Sequence, residues 1–412
     1  MHCPARRAMV LPGVPNALLD ALRAAARELS CPHLAFVGGV VRDGLLHQRH
    51  GAAWRGVPDL DLVVEGDARQ LALALQQICG SERLTVCREH GSYGTVELCL
   101  DGVLIDLATA RRESYPAPGE NPVVQSGTLQ ADLVRRDFSI NAMAFDLISG
   151  ELIDPHAGQR ALQQRSLELL HPGSISDDPT RVVRAARYAA RLDFHLADDS
   201  LDQLRHTMQR WPWSGSTGDP RPKAPPALST RLRMELDRLF QREPWEVALS
   251  HLHDWDAMAL LDSALQHDPR WQQRLTGASR LGVPLLPALL LGAGDPPAVA
   301  TRLDLPGQQM KALGQSCDLL TWLQQDPPPP GAPPSEWCRA LEASGWSAEA
   351  VVLAICHRPA GWRILLRWWG RWRLVRSPVT AAELIQAGWS PGPELGAELS
   401  RLRLQRIDQE ER

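Results

Sequence analysis

The sequence predicts an α+β N-terminal region, here called the head, followed by a long all-α region. Between residues 33 and 150, short β-like runs alternate with helical runs, which is typical of a domain that combines a sheet with helices. From about residue 160 onward the strand signals disappear, and Leu, Ala and Trp recur at helical spacing. The 412 residues suffice for roughly two to four domains with cores of their own.

The elements of the head can be assigned in chain order. HLAFVGG is predicted as a strand that ends in a glycine turn, and VVRDGLLHQ begins a helix. DLDLVVEG is a strand and ARQLALALQQI is a helix. GTVELCL and VLIDLATA are two further strands, and AMAFDLI with ELIDP forms a closing hairpin.

Two segments rich in Pro and Gly divide the rest of the chain. WPWSGSTGDPRPKAPP (211–226) and QQDPPPPGAPP (324–334) have the composition of linkers or exposed loops. The predicted parts are the head at 1–150 with its motifs within 33–150, a helical segment at 151–210, a linker or loop at 211–228, a helical segment at 229–325, a Pro-rich linker at 326–336 and a helical segment at 337–412.

The charge balance does not by itself indicate a nucleic-acid partner. The net charge is −4, and all but two of the 44 basic residues are arginine, the exceptions being Lys223 and Lys311. Codon usage explains such a bias, so the abundance of arginine carries no functional meaning. Evidence for phosphate or RNA contacts has to come from the positions of particular arginines.

Cysteine usage and hydropathy exclude several other classes of protein. The eight cysteines contain no C-x-x-C pair, which argues against a zinc module and a disulfide framework and favours a reducing cytoplasm. No apolar run approaches the roughly 18–20 residues that span a bilayer. The N-terminal segment has only a short apolar stretch interrupted by prolines, so we expect neither a signal peptide nor a membrane partner.

Asp59 and Asp61 form the most distinctive pattern in the head. Residues two apart in a strand point to the same face, so D-L-D presents two carboxylates together while Leu60 and Leu62 face the core. Two like charges about 4 Å apart repel by roughly 4 kcal/mol at an effective dielectric near 20, and a divalent cation between them relieves this repulsion. Oxygen ligands favour magnesium or manganese. A solvated strand face is the alternative for so short a motif.

Two glycines and an arginine precede this pair of carboxylates. In FVGGVVRD a strand ends at Gly38 and Gly39 and a helix begins, so backbone N–H groups can approach an anion. Arg42 falls on the first helical turn, where it can reach the same phosphates. Together with D-x-D, the segment predicts a triphosphate held above a metal pair. A third carboxylate, Asp106 in VLIDLA, has either a metal-site role or an ordinary surface position.

A charged triplet, Arg135, Arg136 and Asp137, precedes the apolar run Phe138–Leu147. Such a triplet is commonly a solvated turn. However, Asn141 lies four residues beyond Asp137 and shares its face if the segment is helical. The pattern favours a helix start that faces a ligand.

A second predicted helix carries a stripe of arginines. Asp177 or Asp178 is a suitable N-cap before Pro179. At 100° per residue four arginines fall within an arc of roughly 120°, opposite small apolar residues. These arginines are Arg181, Arg184, Arg187 and Arg191. The carboxylate of Asp178 can accept from the amino group of C or A, and Arg181 can donate to the adjacent ring nitrogen. U and G present a carbonyl at that position, which the carboxylate repels. A solvated basic face is the alternative for this helix.

Taken together, these segments resemble the class II tRNA nucleotidyltransferase and bacterial poly(A) polymerase family. The resemblance is carried by GGVVRD, PDLDLVV, LVRRDFSINA and DDPTRVVRAARY, in this order within residues 33–195. It extends more weakly through ALSTRLRMELDRLF (227–240) to ELIQAGWSPGPELGAEL (383–399). It implies a DNA polymerase β-like nucleotidyltransferase head, followed by all-α neck, body and tail domains over the three helical segments given above. It also implies transfer of CMP or AMP from a nucleoside triphosphate to an RNA 3′ end.

The resemblance further implies roles for individual residues. Gly38, Gly39 and Arg42 correspond to the triphosphate-binding turn, and Asp59 and Asp61 to the metal ligands. Residues expected to bind the ribose and phosphates are Arg136, Asp137 and Asn141, and residues expected to read the base are Asp178, Arg181, Arg184 and Arg187. Asp177 departs from the family, which usually has Glu there.

The segment HRPAGWRILLRWWGRWRLVR (357–376) contains six arginines and no acidic residue. Its aromatic and apolar residues recur at helical spacing, and interleaved basic and aromatic residues suit RNA backbone contacts and stacking. The residues at this spacing are Trp362, Leu365, Trp369 and Trp372, and the predicted RNA contacts are Arg363, Arg367 and Arg371. Tryptophans packed in a core beside solvated arginines are the alternative.

We therefore expect a cytoplasmic tRNA nucleotidyltransferase that builds or completes the 3′-terminal CCA of tRNA from CTP and/or ATP, without a nucleic-acid template. Asp59 and Asp61 are expected to hold two Mg²⁺ or Mn²⁺ ions, with Asp106 assisting catalysis. No obligatory protein partner is inferred.

Three alternatives remain. Addition of CC only or of A only is open, because residues 110–133 take the place of the family's flexible loop, whose make-up bears on that difference. A poly(A) polymerase is disfavoured, since the acidic VVEGDARQLA stands where that branch has a basic stretch. A catalytically silent RNA-binding module is disfavoured by the intact carboxylate pair.

Overall fold

A computed structural model describes residues 9, 11–54, 56, 57, 59–90, 94–211, 213, 223–329 and 331–410. The linker predicted at 211–228 lies largely outside the described residues. Contacts between Cα atoms divide the chain into two compact units. The first unit runs to Trp211 and takes up Arg242–Trp255, and the second contains the remaining residues.

The strands of the first unit are β1 (Leu34–Val37), β2 (Leu60–Val64), β3 (Leu84–His90), β4 (Thr95–Leu100), β5 (Val103–Thr109), β6 (Arg111–Ser114), β7 (Val123–Ser126), β8 (Ala144–Asp146), β9 (Leu152–Ile153), β10 (Ser166–Leu167) and β11 (His195–Leu196). Seven of them form one sheet in the order β3-β4-β5-β2-β1-β8-β9. Within it only β2 and β5 run parallel. The α+β prediction for the head is confirmed, including the closing hairpin of β8 and β9.

The first ten helices in chain order are α1 (Asn16–Glu28), α2 (Gly39–His50), α3 (Ala68–Arg83), α4 (Leu129–Val134), α5 (Gly158–Gln164), α6 (Ser174–Asp177), α7 (Thr180–Leu192), α8 (Asp198–Gln209), α9 (Pro226–Arg242) and α10 (Trp245–Asp254). In the first unit, α3 packs against β3 and β4, and α7 packs against α10. Leu71 and Leu75 of α3 are fully buried, so its apolar face covers the sheet.

The helix start expected at the triplet Arg135, Arg136 and Asp137 is wrong. Ser139–Asn141 forms a single 3₁₀ turn, and β8 follows at Ala144–Asp146. All of Phe138–Leu147 is buried, so the charged triplet leads into a buried 3₁₀ turn and then into the strand predicted in AMAFDLI. Strand structure also continues beyond residue 160, where β10 and β11 pair in parallel.

The helices that follow α10 are α11 (Ser263–Gln266), α12 (Trp271–Leu281), α13 (Leu285–Leu290), α14 (Pro296–Arg302), α15 (Gly307–Gln325), α16 (Pro334–Ala343), α17 (Ala348–Cys356), α18 (Trp362–Gly370), α19 (Ala381–Gln386) and α20 (Pro393–Glu410). Helices α15, α16, α17, α18 and α20 share one core, whose buried residues include Leu319, Trp337, Val351, Leu365 and Ile407. The Pro-rich segment at 326–336 therefore connects two helices of one core. In the described part of the chain, no helix has the length and apolar character of a membrane span.

Candidate active site

The polar face of the sheet carries the predicted carboxylates. Asp61 on β2 lies directly opposite Asp106 on β5, and Asp106 lies opposite Glu97 on β4. Because strand residues alternate between faces, the neighbouring Leu60 and Leu62 are buried on the other side. The three carboxylates line a cleft of about 700 Å³. The structure thus brings Asp61 and Asp106 together and adds Glu97, which the sequence analysis did not single out.

The surroundings of Asp61 disfavour its negative charge. Desolvation in the cleft is the largest cause; Arg136 opposes it, and Asp106 and Asp59 add repulsion. The net effect raises the pKa of Asp61 to about 6. Asp59 directly precedes β2 and is exposed. The protein therefore compensates the charge of Asp61 only in part, which is the electrostatic condition expected of a cation site.

The donor set fits a magnesium ion that relies on its substrate for part of its coordination. Among the described residues, no group of three or more His, Cys, Asp or Glu side chains has the arrangement of a complete metal site. Mg²⁺, however, is commonly held by one or two carboxylates together with substrate phosphates and water. Asp59 and Asp61 supply oxygen ligands of this kind, and the raised pKa of Asp61 reflects a carboxylate charge that a cation would neutralise.

Gly38 makes the turn between β1 and α2. Its φ of +68° lies in the left-handed region that favours glycine. A Cβ atom there would lie 3.2 Å from Nη1 of Arg136 and 3.7 Å from Oδ2 of Asp61. Gly38 therefore lets the start of α2, Arg136 and Asp61 converge, and the N–H groups at the start of a helix suit an anion.

Arg42 lies on α2 and is fixed by its neighbours. Its side chain is almost fully buried, and Nη1 donates to Oδ1 of Asn141 at 2.8 Å. Nε and Nη2 donate to the carboxylate of Asp43 at 2.8 and 3.1 Å, and the guanidinium lies 5.3 Å from the centre of the Tyr188 ring. Two residues predicted to bind the nucleotide, Arg42 and Asn141, are thus in direct contact.

Asp137 joins this network from the other side. Its Oδ1 accepts from the backbone N–H of Phe138 at 2.8 Å and from Nδ2 of Asn141 at 3.0 Å. Its Oδ2 lies 2.7 Å from Nη2 of Arg184 on α7. Burial opposes ionisation, but Arg184 and these hydrogen bonds outweigh it and lower the pKa of Asp137. Asp137 therefore stays ionised and links the head to α7.

Asp132 is an unpredicted residue at the centre of the site. It is fully buried on α4; its Oδ1 accepts from Nη2 of Arg135 at 2.7 Å, and its Oδ2 accepts from Nη2 of Arg136 at 2.8 Å. Burial opposes its ionisation, but the two guanidiniums lower the pKa of Asp132. The D-L-V-R-R spacing, which places the arginines three and four residues after the aspartate, is the sequence signal that could have identified it.

Arg181 lies in the first turn of α7, and Asp178 lies one residue before Pro179, which is the N-cap, so the expected N-cap role of Asp177 or Asp178 is wrong. Oδ1 of Asp178 accepts from the hydroxyl of Thr180 at 2.8 Å and from its N–H at 3.3 Å. Arg181 is buried, and it donates through Nη1 to Oγ of Ser174 at 2.6 Å and through Nη2 to the carbonyl of Arg135 at 2.8 Å. Arg181 thus holds the segment that carries Arg136, and its role in reading the base remains a prediction.

The remaining arginines of α7 form ion pairs. Arg187 is buried, and its Nη2 lies 3.1 Å from Oε1 of Glu243, which Arg191 also contacts. The stripe is therefore not a solvated basic face. The expected role of Arg187 in nucleotide binding stays a prediction.

In the second unit, the segment at 357–376 shows both features that its pattern predicted. Leu365 and Trp372 belong to the core as expected, together with Trp368, whereas Trp362 and Trp369 are only partly buried and pack against it. Exposed side chains of the same segment include Arg363, Arg367 and Arg371. The Arg363 guanidinium stacks 4.9 Å from the centre of the Trp362 ring. The packing of the tryptophans is settled, and RNA contact by these arginines remains a prediction.

Paired carboxylates on a sheet face, beside a glycine turn and several arginines, define a site of the nucleotidyltransferase class. A family model described as the Poly A polymerase head domain matches residues 34–168. The chain is 33% identical over 381 residues to the CC-adding tRNA nucleotidyltransferase of Deinococcus radiodurans, an alignment that covers 90% of this chain and 83% of that protein. The chain therefore belongs to the tRNA nucleotidyltransferase family, as the sequence motifs indicated.

Other relatives match a shorter part. The chain is 42% identical over 182 residues to the A-adding tRNA nucleotidyltransferase of Aquifex aeolicus, covering 42% of this chain and only 20% of that protein. A solved structure described as the apo form II of a CCA-adding enzyme superposes with a TM-score of 0.72 at 24% identity, covering 97% of this chain and 93% of that one. This likeness supports the fold. Nucleotidyltransferases of this family generally use divalent metal ions.

Proposed function

We propose that this protein transfers CMP and/or AMP from CTP or ATP to the 3′ end of tRNA without a nucleic-acid template. The observation that carries this proposal is the convergence of Asp61, Arg136 and the Gly38 turn above a sheet face that also bears Asp106. Family membership gives the substrate class, since the relatives named above act on tRNA by their names.

The residues of the site divide the work of the reaction. The triphosphate lies over Gly38 and Gly39 at the start of α2, where Arg42 lies, and Arg136, Asp137 and Asn141 bind the ribose and phosphates. The RNA 3′-hydroxyl attacks the α-phosphate in line, and pyrophosphate leaves. Two Mg²⁺ ions, for which Mn²⁺ can substitute, would be held by Asp59 and Asp61 and would lower the pKa of the hydroxyl and stabilise charge on the leaving oxygens. Asp106, which lies opposite Asp61 on β5, assists catalysis beside these two ligands.

We further propose that CMP addition is the main activity. The Deinococcus radiodurans relative that aligns with 90% of this chain is a CC-adding enzyme, whereas the Aquifex aeolicus A-adding relative aligns with 42% of it. A primer-extension assay decides the matter. It offers tRNA ending at the discriminator base, at C or at CC, with each of the four nucleoside triphosphates in turn.

Each outcome of the primer-extension assay identifies one type of nucleotide addition or contradicts the proposed function. Two CMP residues added to the discriminator base, with no AMP added to CC, establish a CC-adding enzyme. AMP added only to CC establishes an A-adding enzyme, and completion of CCA from the discriminator base establishes the full activity. Repeated AMP addition to any RNA would identify a poly(A) polymerase, and no addition at all would contradict the proposed function.

The carboxylate pair gives a direct mutational test. We expect Asp59→Ala and Asp61→Ala each to reduce nucleotide addition by several powers of ten, because loss of an essential catalytic metal removes the main stabilisation of the transition state. Binding of tRNA should change by no more than a few-fold, since the helical domains supply most RNA contacts. Turnover above about a tenth of the wild-type value in both variants would contradict the metal-ligand assignment.

A further inference from the structure

Five side chains of alternating charge follow one another along one wall of the cleft. The order is Arg111, Glu113, Arg135, Asp132 and Arg136. Nη2 of Arg111 lies 2.7 Å from Oε1 of Glu113, and Nη1 of Arg135 lies 3.0 Å from the same oxygen. Asp132 then bridges Arg135 and Arg136 through its two oxygens. We call this set the charged wall.

The acidic side chains of the charged wall are more deeply buried than its arginines. The side chains of Glu113 and Asp132 are 6% and 0% exposed, whereas those of Arg111, Arg135 and Arg136 are 23%, 18% and 16% exposed. All three arginines line the cleft that contains Asp61 and Asp106. The buried carboxylates thus lie on the side of the guanidiniums that faces away from the cleft, and they fix the orientation of the arginines.

The register of the sheet places Arg111 at the opposite end of the cleft from Gly38. Phe36 of β1 pairs with Leu62, so Gly38 follows beside the first residues of β2. Thr109 of β5 pairs with Val64, the last residue of β2, and Arg111 lies two residues further on. At about 3.3 Å per residue, the strand from Asp61 to Val64 already spans about 10 Å. Arg136 therefore serves one end of the cleft and Arg111 the other.

We propose that Arg111 binds a phosphate group at this second end of the cleft and that Glu113 is its positioning residue. The inference rests on the proposed function, because a nucleotide and an RNA end each bring phosphates into one cleft. Arginine suits phosphate through the planar geometry of its donors. Glu113 restricts a flexible side chain to one orientation and screens two neighbouring guanidiniums from each other.

Glu113 is built for this role. Its Oε1 is shared by Arg111 and Arg135, and its Oε2 accepts from the hydroxyl of Tyr115 at 3.2 Å. Each carboxylate oxygen of Glu113 therefore has a partner, and the carboxylate is held in one orientation. Loss of its negative charge would remove the carboxylate that Arg111 and Arg135 share, and Arg135 would keep its ion pair with Asp132, so we expect the position of Arg111 to shift more than that of Arg135.

The strand offers a matched control. Burial alternates along β6, so that Arg112, next to Arg111, is exposed on the opposite face and its Nη2 lies 3.3 Å from Oε1 of Gln125. We expect Arg111→Gln to raise the KM for nucleotide or for RNA at least tenfold, with kcat changed less than threefold. Arg112→Gln should change both KM values less than twofold. Glu113→Gln should act in the same direction as Arg111→Gln, and the double variant should fall short of the product of the single effects.

Binding measurements separate the source of the phosphate and do not depend on turnover. Calorimetry with inorganic pyrophosphate reports a nucleotide-derived phosphate, and titration with a tRNA acceptor minihelix reports an RNA-derived one. Weaker binding of either probe by Arg111→Gln supports the proposal and names the source. If both affinities and both KM values stay within twofold of the wild type, the proposal is overturned. If the wild-type protein adds no nucleotide to any tRNA, the proposed function fails, and these affinities still decide the role of Arg111.

Discussion

At the scale of single residues, the ionisation of Asp61 opposes folding of the metal-free protein. Its pKa in the folded state is about 6, above the ordinary value of 3.8. The cost is therefore absent below about pH 4, grows as pH rises and is complete above about pH 6. A shift of this size corresponds to at most about 3 kcal/mol, and solvent access at the cleft reduces it to about 1 kcal/mol.

The unfavourable ionisation of Asp61 can be tested in the presence of a chelator, which keeps the protein free of metal. Asp61→Asn should raise the free energy of unfolding by about 1 kcal/mol at pH 8 and leave it unchanged at pH 4, as measured by urea denaturation. Asp101→Asn is a control of opposite sign, because the hydrogen bond from Arg83 lowers the pKa of Asp101 and so stabilises the fold at neutral pH. Equal effects of Asp61→Asn at both pH values would contradict the electrostatic explanation.

Some site residues could be predicted from the sequence because their geometry is local. The strand period placed Asp61 on the polar face of β2, and the paired glycines marked the turn at Gly38. Glu97 could not be found this way, since its position opposite Asp106 depends on the register of β4 and β5. Glu113 lay in a short polar segment whose only signal is the arginines around it.

At the scale of elements, the structural contacts at the start of helix α7 can be separated from its predicted role in base reading. Asp178 both accepts hydrogen bonds from Thr180 at the helix start and is expected to read the base. If it reads the base, Asp178→Ala should lose efficiency with the proper nucleotide and gain relative use of UTP or GTP by roughly ten- to a hundredfold, since each such contact contributes about 1–3 kcal/mol of discrimination. The measurement is kcat/KM for all four triphosphates on one tRNA.

Thr180→Ala is the matched control for that variant. It removes the partner of Asp178 at the helix start but keeps the carboxylate, so it should lower the melting temperature without altering the choice of base. Arg181→Ala should reduce efficiency with every nucleotide, because Arg181 holds the backbone of Arg135 beside the site. If Asp178→Ala slows all four nucleotides equally, Asp178 acts only by holding Thr180 at the start of α7.

The elements missed by the sequence analysis lack a clear hydrophobic period. Strands β6 and β7 form a two-stranded ribbon of mostly polar residues, and none of their side chains is fully buried. Strand β3 follows α3 directly, and the sequence marks only the break at Gly80, where φ of +68° and ψ of 174° depart from the helix. Antiparallel pairing with β4, the next strand along the chain, stabilises it as a strand.

At the scale of the whole molecule, the division into units depends on contacts that no linear pattern reveals. Residues Arg242–Trp255 belong to the first unit although they follow the linker, and Glu243 among them pairs with Arg187 and Arg191 of α7. The sequence predicts them as part of the helical segment at 229–325, the expected body domain. A buried carboxylate between two arginines explains the difference, because breaking such a pair would leave uncompensated buried charge.

The exposed arginines of α18 and the turn that follows it provide the last prediction, which concerns binding of the whole tRNA. Replacing Arg363, Arg367 and Arg371 with Gln should weaken binding of full-length tRNA and reduce the slope of log affinity against log salt by about two to three, because each phosphate contact releases roughly one counterion. Addition to a saturating acceptor minihelix should change little. Arg401→Gln, which removes an exposed arginine of α20 outside this segment, serves as a control and should leave the slope unchanged. An unaltered affinity and slope in the triple variant would mean that these arginines only keep the surface of the core hydrated.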